Sequence, residues 1–293
     1  MLDQIITVPT DAGGDVTVLV DEPLEGQAHA EVVLGAVFGA TAQSMFQFAY
    51  ALAANGFRVL RVDFRDHVGL STGVIEDMRL STMAADLAAV LRARPGALLA
   101  AVSLSARPAL RVLAEGAPAA GAVLVTPVVD VRSTLALVIG QDHLAVPDAD
   151  VPVLVEVLGY PVRGEFVRDC RAVGMLGLDD ALADVARVTV PVAFVAGDAD
   201  PWVGHTDVAA AARAHAERVP GGSLVTIPAA AHRLNRNPAV AARYVEATAA
   251  QCLRLSGSPR PVVVPTFDAA LRAMAETRTA RSVQQAGRAP AVP

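Results

Sequence analysis

The chain contains no lysine: all 24 positively charged side chains are arginine. That absence excludes chemistry that needs an ammonium group, including Schiff-base aldolases, lysine-tethered pyridoxal phosphate, Walker A phosphate loops and protein kinases. Cysteine is nearly absent too. Cys170 and Cys252 have no CxxC spacing, and the opening Met1-Leu2-Asp3-Gln4 has neither the basic nor the apolar stretch of a secretory leader, so a cytoplasmic protein with reduced thiols is expected. Charge is sparse at 18%, with a net value of -6. No cluster of basic residues offers a path for a nucleic acid backbone.

What is present is apolar. Hydrophobic residues make up 53% of 293 positions, and a chain this long buries about three quarters of its unfolded surface without disulfide or metal support. No charge falls between Glu31 and Arg58, a run long enough to span a bilayer at about 20 residues. Gly35, Gly39, Gln43, Ser44, Gln47 and Asn55 interrupt it, and it reads as strand, turn and buried helix rather than a membrane span.

Short β-branched runs alternate with Ala/Leu-rich helical stretches, the pattern of βαβ units around a mostly parallel sheet. Ile5 to Val8 and Val16 to Val20 form a hairpin around Asp11-Ala12-Gly13-Gly14. Further strands are expected at Glu31 to Val37, Arg58 to Asp63, Ala97 to Val102, Gly121 to Val125, Pro191 to Ala196 and Ser223 to Pro228. Helices are expected at Ala42 to Asn55, Ser81 to Ala93 with Ser81 as cap, Ser103 to Glu115, Thr206 to Arg218, Pro238 to Leu255 and Phe267 to Thr277. The stretch from Asp130 to Arg187 is too long for an ordinary crossover. The expected organisation is a core in two parts, 1–129 and 188–255, an inserted cap at 130–187, and an extension at 256–293 whose end is frayed.

Ala101-Val102-Ser103-Leu104-Ser105 stands where an apolar strand turns directly into a helix. This is a variant of the nucleophile elbow, in which a serine sits on a sharp strand-to-helix turn between small residues. An acid and then a histidine should follow, each after a late strand. Gly197-Asp198-Ala199-Asp200-Pro201-Trp202-Val203 supplies the acid loop and Ala229-Ala230-Ala231-His232 the histidine. The chemistry needs all three, because a serine hydroxyl is a poor nucleophile until an imidazole takes its proton and a carboxylate holds that imidazole in one tautomer. Asp200 is favoured over Asp198, which reads as a turn former, and Ser103 over Ser105, which fills the tight flank. The fold class is therefore the α/β-hydrolase fold with an inserted cap. The oxyanion hole would use the amides of Leu104 and Phe38, with Gly39 as the fallback.

Among the other histidines, His29, His143 and His215 read as solvated, and His205 precedes a helix. His67 follows a strand end, where it would orient substrate or hold its loop. No histidine pair has ligand spacing with a carboxylate, so neither a metal nor a cofactor is expected.

The stretches His67-Val68-Gly69-Leu70-Ser71-Thr72-Gly73 and Ser103-Leu104-Ser105-Ala106-Arg107, with Asn55-Gly56-Phe57, Phe166-Val167-Arg168-Asp169-Cys170, the Asp200 to Val203 loop and Ala231-His232, carry a family resemblance. The chain resembles the acyltransferase subunit of the bacterial luminescence fatty acid reductase, also described as a myristoyl-ACP-specific thioesterase. The resemblance implies an Ala-x-Ser-x-Ser elbow in which Ser103 is acylated, a triad completed by Asp200 and His232, and a long acyl chain held under the cap. The expected substrate is an acyl-thioester of acyl carrier protein (ACP) or CoA, passed to water or to an acceptor-enzyme partner in a lipid or polyketide pathway. A carboxylester hydrolase and a catalytically silent binding subunit are the competing readings. Docking of an acidic carrier protein would fall to Arg58, Arg61, Arg65 or Arg107, with a structural role beside the elbow as the alternative for Arg107.

Overall fold

The computed structural model describes residues 2–11, 13–234 and 237–286. The chain begins with an antiparallel hairpin, β1 (Leu2–Pro9) and β2 (Asp15–Asp21), followed by β3 (Ala30–Gly35), α1 (Phe46–Ala54) and β4 (Phe57–Asp63). Next come α2 (Leu80–Ala93), β5 (Leu98–Val102), α3 (Ala106–Ala114) and β6 (Gly121–Val125). Between β6 and the next strand of the main sheet lie α4 (Val131–Ile139), a small hairpin of β7 (Leu154–Val157) and β8 (Tyr160–Arg163), α5 (Glu165–Ala172) and α6 (Leu178–Val185). The chain continues through β9 (Val192–Gly197), α7 (His205–Ala216), β10 (Ser223–Ile227), α8 (Pro238–Leu255) and α9 (Phe267–Ala286).

Eight strands form one sheet in the order β1-β2-β4-β3-β5-β6-β9-β10. From β4 to β10 every neighbouring pair is parallel; only the β1 and β2 edge is antiparallel. The expected α/β-hydrolase architecture, a mostly parallel sheet, is the one found. Strands buried on both faces read as unbroken apolar runs, and β5 illustrates why: Leu99 and Ala101 enter one core, Leu98, Ala100 and Val102 the other. The first core is completed by residues such as Met83, Leu87 and Val90 of α2, Leu110 of α3 and Val208 of α7. Phe48 and Leu52 of α1 and Val240, Tyr244 and Cys252 of α8 complete the second.

Three local expectations change. The helix expected from Ala42 starts instead as a short 3-10 turn, Ala42–Met45, before α1. Buried Arg61 draws on the carbonyls of Ala42 and Gln43 at 3.1 and 3.4 Å while Asp63 accepts the Ala42 amide at 2.5 Å, so that turn's backbone is tied to β4. Ser81 does not cap α2, which begins at Leu80; its amide and hydroxyl both donate to Asp169 of α5, at 3.0 and 2.5 Å. The last helix extends to Ala286, past Thr277, and 287–293 lie outside the described residues. Among the described residues no helix is long and apolar enough to cross a membrane.

Candidate active site

The C-terminal ends of β5, β9 and β10 converge on one point. Ser103 follows β5 directly and adopts φ of +58°, a left-handed conformation that costs a non-glycine residue about 1–3 kcal/mol. A short 3-10 turn, Ser103–Ser105, then leads into α3. Its neighbour Ser105 is fully buried: its Oγ accepts the Val102 amide at 2.9 Å and lies 2.9 Å from the Val102 carbonyl and 3.3 Å from that of Gly35. Ser105 therefore staples the turn to the end of β5.

Ser103 Oγ lies 2.7 Å from Nε2 of His232. On the other side of that ring, Nδ1 lies 2.7 Å from Asp200 Oδ2. Asp200 is itself fixed, because its Oδ1 accepts the amides of Trp202 and Val203 at 2.9 and 3.0 Å. The His232 and Asp200 side chains are only 7% and 3% exposed. Their contact therefore lies in a site largely shielded from water. Asp198 is elsewhere, accepting the Ala229 amide at 2.6 Å and closing the turn after β10. The arrangement can pass a proton from serine to imidazole while the carboxylate holds the ring and stabilises its charged form.

Leu104 occupies the first turn after β5, where backbone N–H groups have no acceptor within the helix. Phe38 lines the same cavities as Ser103 and His232. The fallback donor Gly39 is committed, since its N–H donates to Nε2 of His67 at 3.1 Å. His67 is 4% exposed, and burial pushes its pKa down to about 4. It stays neutral and serves as an acceptor.

Two cavities meet at Ser103. One, of about 50 Å³, is lined by apolar side chains including Met78, Val131, Val138 and Phe166. The other, of about 540 Å³, runs past Phe48 and Leu234 and carries Ser44, Gln47 and Arg233. Trp202, the chain's single tryptophan, borders both; its ring lies 5.0 Å from that of His232, and the Arg233 guanidinium lies 4.7 Å over it. Neither Trp202 nor Arg233 stands out in the sequence by motif, although a lone tryptophan two residues beyond the candidate acid is a readable signal.

The remaining candidates fall elsewhere. His215 is not solvated: it is fully buried and accepts the Val192 amide at 3.1 Å, holding the start of β9 to α7. His205 contacts Thr226 at 3.1 Å, and His29 packs on Phe57 with ring centroids 4.4 Å apart. His143 lines a small void beneath α4. No group of three or more His, Cys, Asp or Glu gathers as a metal site among the described residues. Both cysteines are free and buried, and burial pushes their pKa values up.

The arginines expected to meet a carrier protein are occupied. Arg61 and Arg65, buried, pair with Asp21 and Asp86 at 2.7 and 2.6 Å; Arg107, also buried, pairs with Asp184 at 2.6 Å. Arg58 bridges Glu22 and Glu31 at 2.7 and 2.9 Å. A guanidinium in an apolar interior needs its counter-charge, so the three buried ones serve the fold rather than a docking surface, whereas Arg58, about one third exposed, is tied to two partly exposed carboxylates.

Comparison with known proteins bears on the family and the fold. The sequence pattern of the acyl transferase family matches residues 3–257. The acyl transferase of Vibrio campbellii is 29% identical over 209 residues, covering 69% of this chain and 68% of that protein. That of Vibrio harveyi is 33% identical over 163 residues, covering 54% of this chain and 53%, about half, of that protein. Among solved structures, Est1E from Butyrivibrio proteoclasticus superposes with a TM-score of 0.66 at 16% identity, over 87% of this chain and all of its own. A monoacylglycerol lipase from Paleococcus ferrophilus gives 0.63 at 16% identity, over 81% and 99%. These likenesses speak for the fold alone, whereas the match over residues 3–257 decides the family. The chain belongs to the acyl transferase family, enzymes of acyl transfer or hydrolysis, here on an α/β-hydrolase fold.

Proposed function

We propose that the protein is a serine acyl-thioesterase or acyltransferase acting through an acyl group on Ser103. The carrying observation is the chain of contacts from Ser103 Oγ through His232 to Asp200, both links at 2.7 Å. As Oγ attacks the thioester carbonyl, its proton passes to His232 Nε2 and the carbonyl oxygen gains charge, held by the Leu104 and Phe38 amides. The carbon–sulfur bond then breaks and His232 returns the proton to the departing sulfur. Water or an acceptor hydroxyl or amine next gives a proton to His232 and attacks the ester carbonyl; as the bond to Ser103 Oγ breaks, His232 returns that proton to Oγ and the acyl group leaves with the acceptor.

In this reading residues 130–187 form the cap, and the apolar cavity beneath it receives the acyl group. At about 50 Å³, against the roughly 10–15 Å³ that one water needs, it has room for a short acyl group. A longer chain would have to part the cap or use the larger groove. That groove, with Ser44, Gln47 and Arg233, suits the polar arm of an ACP or CoA donor and then the acceptor. Two buried free thiols fit a reducing cytoplasm.

Intact-mass spectrometry with acyl-thioesters from acetyl to myristoyl tests the reading. The expected result is an adduct on Ser103 that Ser103→Ala abolishes, together with thioester turnover. A Ser103→Ala protein that still released acyl groups at the wild-type rate would sink it. Comparing kcat/KM on thioesters with oxygen esters of equal length separates the carboxylester hydrolase. A wild-type protein that resists a fluorophosphonate probe would be a silent scaffold.

A further inference from the structure

The peptide groups flanking Gly39 are gripped from two directions. The N–H of Gly39 donates to His67 Nε2 at 3.1 Å, and its carbonyl accepts the Tyr160 hydroxyl at 2.9 Å. His67 comes from the loop after β4, whereas Tyr160 opens β8, in the segment between β6 and β9. Gly39 has φ of +70°, and a Cβ there would come within 2.5 Å of the Tyr160 ring, so glycine is required for both conformation and space. The Phe38 ring stands edge-on to both grips, its centroid 5.9 Å from that of His67 at 82° and 5.8 Å from that of Tyr160 at 90°.

We propose that His67 and Tyr160 are positioning residues that jointly fix the Phe38 amide as the second oxyanion donor, with Tyr160 making that donor conditional on the seating of the β7–β8 hairpin. The inference rests on the Ser103 reading above. An oxyanion donor acts only if it is already aimed where the charge will form. A loop through a left-handed glycine has the freedom to lose that aim, and two hydrogen bonds with two edge-on rings remove it. His67 suits its part because it is buried and neutral, so Nε2 offers a lone pair rather than a proton. Tyr160 adds a link of another kind. Its hydroxyl reaches the Gly39 carbonyl only while the hairpin lies over the site, so covering the acyl group and completing the hole become one event.

The test uses the full chain and four variants: Tyr160→Phe, His67→Ala, His67→Gln and the pair Tyr160→Phe with His67→Ala. For each, kcat and KM on an acyl-thioester, the affinity of a trifluoromethyl ketone that mimics the tetrahedral state, and the unfolding temperature are measured. Tyr160→Phe, which removes one oxygen and keeps the ring, should lower kcat about tenfold with KM nearly unchanged. His67→Ala should cost about a hundredfold, and His67→Gln, which restores an acceptor, should recover most of it. Affinity for the ketone should fall with kcat, while the carboxylic acid product binds as before. Wild-type kcat in Tyr160→Phe, or ketone affinity unmoved while kcat falls, overturns the proposal, and Tyr160→Phe decides even if His67→Ala does not fold. A wild-type protein inert towards thioesters and esters alike overturns the catalytic reading and this proposal together, whereas an active wild type with unaffected variants overturns this proposal alone.

Discussion

His67 shows how much a single buried side chain determines. Its imidazole titrates near pH 4 in the folded protein, pushed down by burial, against about 6.5 in an unfolded chain. Between those values the unfolded chain binds a proton that the folded chain does not. Stability must therefore fall as pH drops through this window, by about 3 kcal/mol in all, and be insensitive to this group above it. Burial lowers the His215 pKa as well, which adds a loss of the same sign. The measurement that isolates His67 is the difference between wild type and His67→Gln in urea unfolding at pH 7 and pH 5. The variant should lose about 2 kcal/mol less than wild type over that interval, and parallel losses would show that His67 does not titrate in this way.

At the scale of elements, the helix after the Ser103 turn is anchored through its arginines. Arg107 and Arg111 of α3 reach Asp184 of α6 at 2.6 and 3.0 Å, and Arg187 joins them at 2.6 Å. Burial by itself would raise the Asp184 carboxyl pKa, but Arg107, Arg187 and Arg111 together hold it below the usual range. Asp184→Asn keeps the shape and removes the charge that neutralises a wholly buried guanidinium. It should cost about 3–5 kcal/mol, read by denaturant unfolding; a loss under about 1 kcal/mol would mean that water or the nearby carbonyls satisfy Arg107.

These elements also show what a sequence discloses. Strands leading to Ser103, Asp200 and His232 were legible because each is an apolar run ending in a turn, and parallel strands advertise themselves that way. Their meeting point was inferred from chain order, and the 2.7 Å contacts are its geometry. The partners of Ser81, Tyr160, Arg107 and His215 were not legible, because each lies 23 or more positions away along the chain. A polar residue reads as a cap or as solvated until its distant partner is known. Local pattern finds the strands; the buried polar contacts depend on how they pack.

For the molecule as a whole, the missing lysines acquire a structural counterpart. Buried cations here are guanidinium groups with carboxylates, Arg61 with Asp21, Arg65 with Asp86 and Arg107 with Asp184, and a planar fork serves such pairs better than an ammonium. The arginines left for a ligand are those outside these pairs, with Arg233 beside the groove. Global stability should also register the strained serine. Ser103→Gly removes the penalty of a side chain at φ of +58° and should unfold about 1 kcal/mol later than Ser103→Ala, which keeps that penalty. Equal stabilities would show the turn to be unstrained. Folding alone favours glycine at this position. Position 103 instead carries a hydroxyl, which the turn itself does not require.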